Sequence, residues 1–100
     1  MEEECCCKVK HKHREPEEEK DLLNRLNRIE GQIRGIKSMV EDERYCVDIL
    51  TQVSAVQAAL NSFNKVLLSS HIKSCVVEEI RSGNLDAVEE LCVTIQKVMK

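Results

Sequence analysis

Between Gly35 and Gly83 the chain contains neither glycine nor proline, and this uninterrupted stretch constrains the fold more than any other feature. Within it Ile49, Val53, Val56, Leu60, Phe63 and Leu67 advance by 4, 3, 4, 3 and 4 residues. That is the a/d seam of a coiled-coil-like helix, not the alternation of a strand. A second stripe, Leu22, Leu26, Ile29, Ile33, Ile36 and Val40, repeats the 4, 3 step and predicts an earlier long helix that runs through Gly31 and Gly35. Pro16 suits a first helical position, and Glu17, Glu18 and Glu19 complement the positive end of the helix dipole. The polar run Glu41-Asp42-Glu43-Arg44 predicts a turn with Asp42 as cap, so that Tyr45 and Cys46 open the second helix. Ser82-Gly83-Asn84 ends it. A short third helix carries Leu85, Val88, Leu91, Cys92, Ile95 and Met99, with Cys92 read as core. The expected fold is all-α, three helices per subunit and no strand. Residues 1–15 lack periodicity and read as a flexible arm rich in Cys, His and Lys, ahead of a helical domain over residues 16–100.

One hundred residues allow one domain, and with Phe63 and Tyr45 as the only aromatics its core must be aliphatic and thin. Association with further copies is the expected remedy. Six Cys in a short chain would suit a secreted disulfide scaffold. Met1-Glu2-Glu3-Glu4 is the opposite of a basic signal-peptide start, however, and no apolar run follows it or is long enough to span a membrane. The expected compartment is the cytoplasm, where thiols stay reduced and can bind metal.

Three residues read as a soft-metal site divided between two molecules. His71 and Cys75 are spaced as neighbours on one helical face. Cys46 lies 25 residues before His71, roughly 37 Å along a helix. One chain cannot close that gap. Stepping back three residues from Ile49 reaches Cys46, and stepping forward four from Leu67 reaches His71, so the donors lie along the seam itself. In an antiparallel dimer, Cys46 of one subunit meets His71 and Cys75 of the other, and two-fold symmetry makes two such sites. Each residue alone is unremarkable chemistry, a seam Cys being a small core hydrophobe. Their convergence in one predicted dimer is what points to metal or sulfur chemistry.

The formal charge of −3 excludes a uniformly basic nucleic-acid binder, but its distribution is uneven. Lys8, Lys10, Lys12 and Arg14 accompany His11 and His13 near the start, and residues 22–40 carry Arg25, Arg28, Arg34 and Lys37 against one acid, Glu30. This leaves a local positive surface of the kind phosphate contacts need. Gly31 and Gly35, which cost about 1 kcal/mol each relative to Ala within a helix, leave room for close packing or close approach to DNA. No phosphate loop, carboxylate pair or nucleophile with an adjacent base recommends an enzyme.

The runs Asn24-Arg25-Leu26-Asn27-Arg28-Ile29-Glu30-Gly31-Gln32-Ile33-Arg34-Gly35-Ile36, Tyr45-Cys46-Val47-Asp48-Ile49-Leu50 and Gln52-Val53-Ser54-Ala55-Val56-Gln57-Ala58-Ala59-Leu60, with His71 and Cys75, resemble the copper-sensing operon repressors of the CsoR/RcnR type. The resemblance covers residues 20–98. It implies an antiparallel four-helix-bundle dimer, a dimer of dimers in the homotetramer, and a repressor that binds double-stranded operator DNA when metal-free and dissociates on binding its inducer. It further implies Cu(I) as inducer, with Cys46, His71 and Cys75 as ligands, a set suited to a soft ion. A three-ligand set leaves structural zinc one short of its usual four. Tyr45 matches one member of the family's outer-shell pair and Glu90 the other, Glu89 being the alternative. Such groups orient a ligating imidazole through its second nitrogen. Arg25, Arg28, Arg34 and Lys37 are the expected DNA contacts.

Cys5, Cys6, Cys7, His11 and His13 are a departure from the family pattern, and an accessory copper-capture role for them stays open. Two other readings also stand: a persulfide or other metal-responsive repressor of the same family, and a cytoplasmic copper buffer or metallochaperone in which the arm would be central.

Overall fold

The computed structural model describes residues 14–98, and all but the last two residues of the expected arm lie outside that range. Helices α1 (Pro16–Glu41), α2 (Cys46–His71), α3 (Val77–Arg81) and α4 (Asp86–Val98) are joined by one π-helical turn, Ile72–Val76, set between α2 and α3. Because α2, the π turn and α3 continue without leaving helical geometry, the chain makes three helical segments, as the apolar spacing predicts. Among the described residues there is no strand. None of their helices is long and apolar enough to cross a membrane.

The ends of these segments follow from local chemistry. Glu15 is extended before Pro16, and the acids at 17, 18 and 19 occupy the first turn. At the other end of α1, Arg44 N–H donates to Met39 O at 2.9 Å and Glu43 N–H to Val40 O at 3.1 Å. This is a Schellman closure, with Glu43 at φ 56° in the left-handed position usually given to Gly. Asp42 therefore closes α1 instead of capping α2, and Tyr45 O receives the N–H groups of Asp48 and Ile49 that open α2. The same closure recurs after α3. Asn84 N–H donates to Glu79 O and Gly83 N–H to Ile80 O, with Gly83 at φ 87°.

The π turn was not expected from spacing. Ser74 Oγ donates to Ser70 O at 2.8 Å, a back-bond of the kind that bends helices, and the Val77 N–H reaches the Ile72 carbonyl five residues back. Such single π turns inside α-helices occur often at functional sites.

The chain divides into two compact units, residues 15–65 and a second holding residues 66–98. In the first, Leu22, Ile29 and Val56 are buried, Ile36, Ile49, Val53 and Phe63 half-buried, and Leu26, Ile33, Val40 and Leu60 exposed. Each seven-residue repeat of α1 thus covers one apolar position and leaves the other open. A Cβ added at Gly31 or Gly35 would meet nothing within 4 Å, so neither glycine serves close packing among the described residues. In the second unit α4 packs against α3 and the π turn, around buried Cys75, Val76 and Glu79. Cys92, expected in the core, is exposed on α4.

Candidate metal centre

Cys46 is the first residue of α2 and is exposed, while His71 is the last and half-buried. Cys75 falls inside the π turn with 3% of its surface exposed. Cys46, Cys75 and Cys92 are thiols outside any disulfide. Ser74 Oγ stands 3.8 Å from Cys75 Sγ, within reach of a weak hydrogen bond. Among the described residues of one chain, no three His, Cys, Asp or Glu side chains gather into a group able to hold a metal ion.

Tyr45, directly ahead of Cys46, has 70% of its surface exposed. Glu89 and Glu90 are both exposed on α4, and Glu90 O accepts the Thr94 hydroxyl. The basic residues of α1 do not form one face. Arg25 and Arg28 are neighbours, as are Arg34 and Lys37, but the six-residue step from Arg28 to Arg34 leaves a net rotation of about 240° around the helix. Arg25 pairs with Asp21 at 3.2 Å and Arg34 with Glu30 at 3.6 Å, exposed contacts worth at most about 1 kcal/mol and easily exchanged for phosphate.

Glu79 is the residue that sequence reasoning missed. Its side chain, one turn beyond Cys75, is 2% exposed. Oε2 accepts Asn84 Nδ2 at 2.7 Å, whereas buried Oε1 has no hydrogen-bond partner. The available signal was the spacing His71, Cys75, Glu79, which places an acid on the face that carries the two donors.

The chain is 48% identical over 89 residues to the copper-sensing transcriptional repressor CsoR of Bacillus subtilis (strain 168), 88% of either protein. It is 42% identical over 71 residues to the copper-sensing transcriptional repressor RicR of Mycobacterium tuberculosis (strain ATCC 25618 / H37Rv), covering 71% of this chain and 74% of that one. Its fold matches the crystal structure of the copper-sensing repressor CsoR with Cu(I) from Geobacillus thermodenitrificans NG80-2, with a TM-score of 0.83, 46% identity and coverage of 89% of this chain and 94% of that one. It also matches the nickel-responsive transcriptional regulator InrS, at a TM-score of 0.68 and 35% identity over 88% of this chain and 97% of that one. The profile of one family, described as metal-sensitive transcriptional repressor, spans residues 18–97, and this all-α, non-enzymatic chain belongs to that family.

Proposed function

We propose that this protein is a Cu(I)-responsive transcriptional repressor that holds operator DNA in its metal-free form and dissociates on copper binding, derepressing copper-resistance genes. The observation that carries the reading is the donor set: two thiols and one imidazole, with Cys46 exposed at the head of α2 and His71 and Cys75 at the α-to-π junction. Its similarity to named copper sensors supports the same choice. When bound, Cu(I) supplies a soft centre that favours thiolate sulfur over carboxylate oxygen.

The residues divide the work as follows. Cys46 of one subunit joins His71 and Cys75 of the other in an antiparallel four-helix-bundle dimer, and two dimers make the homotetramer. Leu26, Ile33 and Val40 on α1 and Leu60 on α2, exposed in the single chain, supply apolar surface for that assembly. Tyr45 and Glu90 orient the His71 imidazole. Arg25, Arg28, Arg34 and Lys37 contact phosphates of double-stranded DNA. Residues 16–100 make up the metal-sensing and DNA-binding domain, and the protein works in the cytoplasm.

The test is a gel shift with duplex DNA from upstream of the chain's own coding sequence, without metal, with Cu(I), and with Ni(II). Release by Cu(I) alone is expected. Retention with Cu(I) and release with Ni(II) would overturn the copper reading. Cys46→Ala or Cys75→Ala should abolish tight, one-per-subunit Cu(I) binding, and undiminished binding in both variants would move the site elsewhere.

A further inference from the structure

We propose that Glu79 is a positioning residue that carries a change at Cys75 to α4, an inference that rests on the copper-repressor reading above. Cys75 and Glu79 are both almost fully buried, at 3% and 2% exposure, and lie one helical turn apart. From Glu79, on α3 just beyond the π turn, a continuous hydrogen-bonded path leads to α4. Its Oε2 accepts Asn84 Nδ2 at 2.7 Å, and Asn84 Oδ1 in turn accepts the backbone N–H of Asp86, the first residue of α4, at 3.0 Å. Two further bonds fasten the same turn, from Asn84 N–H at 2.9 Å and Ser82 Oγ at 2.9 Å to Glu79 O. Asn84 therefore both launches α4 through an Asx turn and is held by the carboxylate below Cys75.

Two features make this clamp a transmitter and not an inert staple. A buried carboxylate tolerates its position through its hydrogen bonds, and here one oxygen is satisfied while Oε1 has no partner. A half-satisfied group is sensitive to small shifts of its neighbours, because another arrangement can offer it more. The second feature is packing. The π turn, α3 and α4 pack against one another, and a close-packed interior passes the shift of one buried side chain on to the groups around it. Buried Glu79 is linked through Asn84 to the first residue of α4.

The experiment uses the full-length protein and three variants. Asn84→Ser keeps a hydroxyl for the Asp86 turn but cannot reach Glu79. Glu79→Ala removes the carboxylate. Glu79→Gln retains an amide oxygen that can accept from Asn84 Nδ2. Cu(I) affinity is measured by chelator competition, and affinity for the upstream duplex by fluorescence anisotropy with and without Cu(I). Asn84→Ser and Glu79→Ala should keep Cu(I) affinity and metal-free DNA affinity within about twofold of the parent, while the copper-induced loss of DNA affinity shrinks by about tenfold, inside the range of typical allosteric couplings. Glu79→Gln should preserve most of the response. Should Glu79→Ala fail to fold, Asn84→Ser decides the matter alone. Parent-like release by the clamp variants, or a parallel fall in Cu(I) and metal-free DNA affinity, would overturn the assignment. A parent that binds copper and stays on DNA would overturn the repressor reading and this inference with it.

Discussion

Ile33 has 45% of its surface exposed on α1, between Leu26 at 38% and Val40 at 59%, and replacing it with aspartate tests how that stripe is used. Complete burial of such a side chain is worth about 1.5–3 kcal/mol, so covering the 45% that faces water contributes about 1 kcal/mol per copy. Two-fold symmetry counts it twice. Aspartate forfeits that contribution and also leaves an unpaired charge in an apolar contact, which costs at least about 1 kcal/mol more per copy. The total is at least about 4 kcal/mol per subunit pair, a weakening of the dissociation constant by about a thousandfold. Sedimentation velocity over a dilution series should show the parent assembled at micromolar concentration and Ile33→Asp dissociated. Asn27→Asp, an added charge at an exposed position of the same helix, is the control and should assemble like the parent. An Ile33→Asp protein with the parent's dissociation constant would refute the burial of this stripe between subunits, and a monomeric parent would refute the proposed shared metal site as well.

The two Schellman closures make an opposed pair of predictions in chemical denaturation. Glu43 occupies the left-handed region at φ 56°, so Glu43→Gly should stabilise the fold by about 1 kcal/mol, whereas Gly83→Ala at φ 87° should destabilise it by about 1–2 kcal/mol. Equal midpoints for parent and variants would show that these turns relax at no cost. Separately, His71→Ala should retain much of the Cu(I) affinity through Cys46 and Cys75 but remain on DNA when copper-loaded, because in the proposed site the imidazole is the ligand whose second nitrogen engages Tyr45 and Glu90. Parent-like release by that variant in a copper titration would show that thiolate ligation suffices. Arg28→Ala and Lys37→Ala, at exposed positions on different sides of α1, should each weaken metal-free DNA binding and reduce its salt slope by about 1 if each contacts one phosphate, leaving Cu(I) affinity alone. An unchanged slope in both would place the DNA interface elsewhere.

The helical plan was legible from residues that act locally. Pro16 with its following acids starts α1, the 4, 3 spacing marks the apolar stripes, and Gly83 stops the second segment because it takes a positive φ without steric cost. Cys46, His71 and Cys75 were legible as candidates because soft-donor chemistry is written in residue type and spacing. What tertiary structure alone decided depends on competition or on neighbours distant in sequence. Glu43 rather than a glycine takes the left-handed position after α1, so Asp42 ends a helix instead of starting one. The π turn accompanies the Ser74 hydroxyl's bond to the Ser70 carbonyl, and spacing cannot say when a side chain will claim a backbone acceptor. Cys92 shares the apolar rhythm of α4 yet lies exposed, because which stripe of a helix is covered depends on where its neighbours lie. Spacing places Glu79 on the face of His71 and Cys75, but nothing in the sequence marks it as buried rather than solvated. It is buried because α4 folds back over α3 and the π turn, and it stays there through an amide five residues ahead. Burial is a property of the packed neighbourhood, which residue type and spacing do not encode.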